Sequence, residues 1–95
     1  MNIKRERTQV IHDILKSIQN KDGRIKPTHI QYKANLSSQM LKDYLNELVE
    51  KGFVNELIDK QGRKYSLTNK GFEYVSQYKR IHEFMVTFGL DEEQI

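Results

Sequence analysis

The sequence contains no cysteine and no tryptophan, and only one proline and five glycines occur among its 95 residues. A chain without cysteine cannot form disulfide bonds, which excludes the class of small secreted proteins that depend on them. No apolar run approaches the roughly 18 residues of a membrane span, and no signal-peptide core follows the N-terminal MNIKRER. We therefore expect one small soluble domain in the cytoplasm, with no membrane contact.

Apolar side chains are also scarce. Hydrophobic residues, tyrosine included, make up 37% of the chain, and exchanging the five tyrosines for the five glycines leaves that share unchanged. Typical domains contain roughly 45–50% apolar residues. The core must therefore be thin, and a partner subunit would bury more apolar surface.

The net charge is only +3, but the charged residues are unevenly distributed. Residues 1–33 contain eight basic and three acidic side chains, and residues 59–80 contain six and two. Residues 34–58 contain two basic and four acidic side chains, and residues 81–95 contain four acidic ones and neither lysine nor arginine. Two basic blocks indicate a polyanion-binding surface. A solvated surface without a partner is the alternative.

Two helical patterns occupy the first third of the chain. Over residues 5–19, apolar side chains recur at the spacing of one helix face: Val10, Ile11, Ile14, Leu15 and Ile18. A second, short helix is expected to begin near Pro27, where Thr28 and Gln31 have the spacing of a capping box. Asn35 then tolerates the left-handed conformation that a tight turn needs.

A third helix has clear signals at both ends. Ser37 is a good N-cap, Leu36 can pack on Leu41 as a hydrophobic staple, and Gly52 ends the helix. The apolar face consists of Met40, Leu41, Tyr44, Leu45, Leu48 and Val49. Two helices separated by residues 35–37 predict a helix-turn-helix.

After Gly52 the pattern changes from helix to strand. Residues 53–58 and 64–68 have strand character and flank a turn at residues 59–63, with Tyr65 and Leu67 facing inward. A hairpin directly after a helix-turn-helix is the wing of a winged helix. The sequence therefore predicts a mainly α, α+β fold of this kind over residues 1–68.

The last helix, over residues 69–89, is capped by Thr68 and has a coiled-coil seam. The seam residues repeat every 3.5 positions and are Tyr74, Tyr78, Ile81, Met85 and Phe88. We expect Phe72 and Val75 to pack on the winged domain, and the seam to join a second copy of the chain. Folding of the seam back onto the first helix is the alternative. Residues 90–95 form an acidic tail.

Four segments together resemble a known family. They are THIQYKANLS at residues 28–37, LKDYL at 41–45, EKGFV at 50–54 and YSLTNKG at 65–71. In this order, and over most of residues 8–80, the chain resembles the archaeal ten-kilodalton winged-helix DNA-binding proteins. The resemblance implies a homodimer joined by an antiparallel coiled coil of C-terminal helices. Such a dimer would bind double-stranded DNA at the nucleoid, as a chromatin protein or a transcriptional regulator.

The solvent-facing side of the third helix is expected to read DNA, because a helix-turn-helix places the start of its second helix in the major groove. Gln and Asn pair with adenine, Lys with guanine, and Ser with several acceptors. The second helix, the wing tip and the N-terminal arm are expected to contact phosphates. The candidate DNA-binding residues are Ser38, Gln39, Lys42, Asn46, Thr28, Tyr32, Lys33, Lys60, Arg63, Lys64 and Arg5, with Lys4 and Arg7 beside Arg5. An ordinary polar surface is the alternative for each.

No group of residues indicates catalysis. His12, His29 and His82 lack a second metal ligand at suitable spacing, and the chain has neither a glycine-rich phosphate loop nor a nucleophile elbow. We predict no enzyme activity, no cofactor, no metal and no small-molecule substrate. The leading hypothesis is a homodimer that binds duplex DNA. The alternative is a winged-helix protein–protein interaction module without direct DNA readout, which the acidic residues Asp43 and Glu47 of the recognition helix favour.

Overall fold

A computed structural model describes residues 5–19 and 25–90 of the chain. The elements follow one another as α1 (Arg7–Gln19), α2 (Pro27–Ala34), α3 (Ser38–Glu50), β1 (Val54–Asp59), β2 (Gly62–Leu67) and α4 (Asn69–Thr87). Four helices and a two-stranded antiparallel hairpin in this order form a winged helix, which confirms the predicted fold. The acidic residues 91–95 of the predicted tail lie outside the described residues.

The core is formed where the apolar faces of α1, α2 and α3 meet the base of the hairpin. The apolar spacing predicted for α1 is confirmed, because four of its five residues are buried and Ile11 is half-buried. On the hairpin, Tyr65 and Leu67 are buried as predicted. The largest fully buried side chains are Ile14, Leu15, Ile18, Ile25, Ile30 and Leu48.

The turn between α2 and α3 is stabilised by backbone bonds and by one side-chain cap. Asn35 has a φ of 56°, in the left-handed region, and the N–H of Leu36 donates to the carbonyl of Gln31 at 3.2 Å. Ser37 accepts a bond from the N–H of Met40 at 3.2 Å, as predicted. The capping box predicted at the start of α2 is wrong. Lys26 holds the N-cap position with no side-chain bond, and Pro27 begins the helix because it has no N–H to satisfy.

The wing follows α3 after a glycine turn. Gly52 has a φ of 83°, and the N–H of Phe53 donates to the carbonyl of Leu48 at 2.9 Å, which closes the helix end. The strands pair from Val54↔Leu67 at the base to Asp59↔Gly62 at the tip. Only Lys60 and Gln61 lie between the strands, so the turn is shorter than residues 59–63.

The start of α4 packs tightly against the turn that follows α3. Thr68 accepts from the N–H of Gly71 at 3.1 Å and donates to the carbonyl of Gly52 at 2.6 Å. A Cβ atom on Gly71 would lie 2.4 Å from the carbonyl oxygen of Phe53, so this position requires glycine. Val75 is buried as predicted, whereas Phe72 is 46% exposed and that prediction is wrong. Gly71 and Val75 define the buried face, and Phe72 lies roughly 100° around the helix from Gly71.

The predicted seam of α4 is divided between two environments. The hydroxyl of Tyr74 donates to the carbonyl of Thr8 at 2.7 Å, and the ring of Tyr78 stacks on His12 with centroids 4.2 Å apart. These two residues therefore pack on α1 of their own chain, and the expectation of a fully exposed five-residue seam is wrong for them. Ile81 and Phe88 are each 63% exposed. In the part of the chain that the structure describes, no helix is both long and apolar enough to cross a membrane.

Candidate nucleic-acid interface

The outer face of α3 is polar and open to solvent. Leu41, Leu45 and Leu48 recur three and four positions apart and bury the inner face, which leaves the opposite face free. That face carries four of the predicted DNA-binding residues, all exposed: Ser38, Gln39, Lys42 and Asn46. The structure therefore brings these four residues together on one side of the helix, from its first turn to its third.

Two acidic side chains of α3 also reach this region, and each has a partner. The side-chain amide of Gln39 donates to the carboxylate of Asp43 at 3.0 Å, one helical turn away. Asp43 therefore aligns the amide of Gln39 along the helix surface. Because the second amide hydrogen and the carbonyl oxygen of Gln39 remain, this bond leaves Gln39 able to pair with a base.

Glu47 is directed towards α1 and is neutralised there. It accepts bonds from Lys51, at 2.7 Å, and from Arg7 of α1. These two hydrogen bonds hold the pKa of Glu47 below its ordinary value, and the bond to Glu47 raises the pKa of Arg7. The Arg7 guanidinium also lies 5.6 Å from the centre of the Tyr44 ring. The charge of Glu47 is therefore compensated within the chain.

The exposed side of α2 forms a groove next to the helix-turn-helix turn. Tyr32 is 89% exposed, and with Thr28 and Gln31 it lines an open groove of about 430 Å³ that Asn35 and Leu36 complete. Thr28 and Tyr32 were predicted to contact phosphates, and both have hydroxyl groups that donate hydrogen bonds. Asn35, expected only as a turn residue, also has an exposed side chain in this groove.

Lys33 lies apart from this groove. It lines a second, smaller hollow of about 180 Å³ together with Asp13, Lys16 and Ser17 of α1. Successive residues of a helix point about 100° apart, which explains why Lys33 and Tyr32 do not share a surface. The structure therefore does not bring Lys33 together with the other predicted contacts of α2.

The wing tip carries three cations in different surroundings. Arg63 lies 3.6 Å from the carboxylate of Glu56, and Lys64 lies 3.7 Å from that of Asp59. Lys60 is exposed in the two-residue turn, and no ion pair involves it among the residues that the structure describes. Exposed pairs of this kind are weak, so Arg63 and Lys64 can exchange their partners for a phosphate, and Lys60 is exposed to contact one.

The basic N-terminal arm is used within the chain. Arg5 bonds to the carboxylate of Asp13 at 2.6 Å and to the carbonyl of Asn35 at 3.1 Å. Partial burial alone would raise the pKa of Asp13, but the bonds from His12 and Arg5 outweigh it and lower the pKa. Arg5 thus connects α1 to the turn between α2 and α3, which sequence reasoning missed because Asn35 lies 30 positions away. Lys4 lies outside the described residues.

The histidines are not arranged as metal ligands. His12 is half-buried beside Asp13 and the ring of Tyr78, and the ring centroid of His82 lies 6.3 Å from that of Tyr78. Within residues 5–19 and 25–90, no group of three or more His, Cys, Asp or Glu residues is placed to hold a metal ion.

A polar recognition helix, a helix-turn-helix turn and a basic wing are the parts of a winged helix-turn-helix domain. The chain belongs to the winged helix-turn-helix family, whose model matches residues 4–86. A search of the curated proteins found no match.

Solved structures with similar folds share low sequence identity with this chain. One is Sso10a-2, a DNA-binding protein from Sulfolobus solfataricus, with a TM-score of 0.74, 22% identity and 90% of each chain covered. Another is F93 from STIV, a winged-helix DNA-binding protein, with a TM-score of 0.67, 20% identity, and 86% of this chain and 91% of that one covered. TubR from Bacillus thuringiensis serovar israelensis, bound to 24 bp of tubC, has a TM-score of 0.66, 20% identity, and 76% and 81% covered. At these identities the likeness shows a shared fold.

Proposed function

We propose that this protein binds double-stranded DNA as a homodimer and acts by binding rather than by catalysis. Its cellular role is that of a transcriptional regulator or a chromatin protein at the nucleoid in the cytoplasm. The observation that carries the proposal is the division of charge on α3. Amides, a hydroxyl and Lys42 occupy the exposed face, where Asp43 accepts a bond from Gln39, while Glu47 is paired with Arg7 and Lys51 at the side.

The recognition helix has the length and chemistry to read a major groove. Its 13 residues span roughly 20 Å, longer than the groove width of about 12 Å. Ser38 and Gln39 lie in the first turn, where base contacts are usual, and the helix N-terminus favours a phosphate. Lys42 and Asn46 continue the same face. Gln39 and Asn46 are the proposed readers of adenine, and Lys42 of guanine.

The flanking elements are proposed to hold the DNA backbone. Thr28 and Tyr32 would donate to phosphate oxygens along the groove beside the turn, and Lys60, Arg63 and Lys64 would contact the duplex from the wing. Arg5 and Lys33 are weaker candidates, because Arg5 is engaged with Asp13 and Lys33 lies beside α1.

The distal half of α4 is the proposed dimer interface. Ile81 and Phe88 are each 63% exposed, and Met85 is half-buried, so these three predicted seam residues are available to a second copy. Phe84 adds to this surface, with 59% exposure and its ring centroid 4.8 Å from that of Phe88. The 19 residues of α4 span roughly 28 Å, enough to separate two winged domains along one duplex. An antiparallel coiled coil of two C-terminal helices, which the resemblance to the archaeal ten-kilodalton proteins implies, would fit this geometry.

The interaction-module alternative is not favoured. Its main support was the acidic residues Asp43 and Glu47 of the recognition helix, of which Glu47 is compensated by two cations and Asp43 is bonded to the amide of Gln39. Three similar structures are described as DNA-binding or as bound to DNA, and none of the three as a module for protein partners.

Fluorescence anisotropy on a labelled duplex tests the proposal directly. Because phosphate contacts release counterions, affinity should fall steeply as salt is raised. Lys42→Ala should weaken binding, whereas Lys79→Ala, which removes one exposed charge from α4, should not. A salt-independent affinity, or equal effects of the two substitutions, would contradict DNA binding through α3.

A further inference from the structure

The wing tip carries an apolar side chain that the fold does not use. Ile58 is 64% exposed although it lies in a regular strand, directly opposite Arg63. Alternate strand residues point to the same face, so Ile58 continues the face on which Val54 is buried at the base of the hairpin. The core ends before Ile58, and the side chain projects beyond it.

Two cations neighbour Ile58 in the hairpin, and the carboxylate of Glu56, two positions earlier, shares the same face. Lys60 lies two positions further along the chain, and Arg63 faces Ile58 across the strands. Arg63 is kept on this face by Glu56, whose carboxylate is 3.6 Å from the guanidinium and also accepts a 2.8 Å bond from the hydroxyl of Tyr65. An apolar tip beside cations complements a surface with an anionic rim and an apolar interior. A DNA minor groove has this form, with phosphates at both edges and sugars along the walls.

We propose that Ile58 enters the minor groove and that the protein thereby prefers DNA whose groove opens easily. This inference rests on the proposed DNA-binding function and assigns the wing a role beyond phosphate contact. An inserted aliphatic side chain widens the groove and partly unstacks a base step. Pyrimidine–purine steps such as TA unstack and bend easily, whereas A-tracts are stiff and have a narrow minor groove. The wing therefore selects flexible base-pair steps, and it does so without a hydrogen bond from the wing to a base.

The hairpin provides a matched control at the adjacent position. Leu57 is 48% exposed, points to the opposite face and lies opposite Lys64. Ile58→Thr and Leu57→Thr each replace an exposed apolar strand residue with a β-branched polar one, and neither changes the charge. If exposed apolar side chains merely stabilise the hairpin, the two substitutions should have the same effect on DNA binding.

The test compares two duplexes of equal length and composition that differ at the centre, one with alternating TA steps and one with an A-tract. Wild-type protein should bind the TA duplex about five- to tenfold more tightly. Ile58→Thr should abolish this preference and leave the slope of log K against log salt unchanged, because no phosphate contact is lost. Leu57→Thr should keep the preference. The fluorescence of a 2-aminopurine placed at the TA step should increase when the base unstacks, which is expected with wild-type protein and with Leu57→Thr but not with Ile58→Thr.

Each other outcome overturns the inference. If wild-type protein binds the two duplexes equally and 2-aminopurine fluorescence does not change, insertion of Ile58 is refuted while DNA binding stands. An equal loss of preference in the two variants assigns the effect to the hairpin as a whole. Absence of wild-type binding to either duplex refutes the proposed function together with this inference.

Discussion

Replacing Ile81 with glutamate puts a charge on the proposed dimer surface. Ile81, Phe84 and Phe88 are 63%, 59% and 63% exposed in the single chain. Full burial of such side chains contributes about 1.5–3 kcal/mol each, so covering the exposed part is worth about 1–2 kcal/mol. Three residues from each of two copies then contribute about 6–12 kcal/mol, which must offset association costs of about 4–15 kcal/mol.

The substitution acts on both copies at once. Loss of Ile81 from both copies removes about 2–4 kcal/mol of association free energy, which raises the dimer dissociation constant by about 30- to 700-fold. The burial of two unpaired charges weakens the dimer further. Val86→Glu is the matched control, because Val86 is 46% exposed on the same helix and lies away from the stripe of Ile81, Phe84 and Phe88. Circular dichroism should show that both variants keep their helices.

Sedimentation equilibrium measures the outcome. Wild-type protein and Val86→Glu should be dimers at tens of micromolar, while Ile81→Glu should be a folded monomer with much weaker DNA binding. A monomeric wild type, or an Ile81→Glu variant that dimerises like Val86→Glu, would refute the assignment of this surface.

Three further predictions concern the fold and the reading of DNA. Gly71→Ala should lower the free energy of unfolding by about 1–3 kcal/mol in denaturant titration, because its Cβ would lie 2.4 Å from a backbone oxygen; unchanged stability would contradict this packing. Gln39→Ala should cost about 1–3 kcal/mol at a preferred site and little on random DNA in competition assays, and equal losses would assign Gln39 to the backbone. Asp13 has a lowered pKa, so its contribution to stability is fully present above its unfolded pKa and is lost as pH falls through the folded value. Arg5→Ala should therefore weaken the acid-induced loss of stability in thermal melts, and an unchanged pH profile would argue against this ion pair.

Sequence reasoning located the elements whose signals are local. Ser37 and Gly52 delimit α3 because a cap and a left-handed glycine act within a few residues, and the spacing of Leu41, Leu45 and Leu48 fixes the buried face. The outer face of α3 follows from that spacing without knowledge of the rest of the chain. The capping box at Thr28 failed because the fixed φ of proline starts a helix without a side-chain cap.

Contacts between distant segments could not be predicted in the same way. Arg7 and Glu47 are 40 positions apart, and Tyr74 and Thr8 are 66 apart, so only the packing of α1 on α3 and α4 brings them together. These contacts changed the interpretation of two surfaces. Glu47 no longer opposes DNA, and Tyr74 belongs to its own chain's α1–α4 packing. A heptad repeat shows which side chains share a face, but not whether an intramolecular helix covers part of it.

The central claim is that the outer face of α3 and the wing tip contact duplex DNA. Titration of a short duplex into ¹⁵N-labelled protein, followed by two-dimensional NMR, tests it most directly. The largest shift changes should occur at Ser38, Gln39 and Lys42, with a second group at Lys60 and Arg63, and they should diminish as salt is added. Changes confined to α4, or the absence of any change at low salt, would contradict the claim.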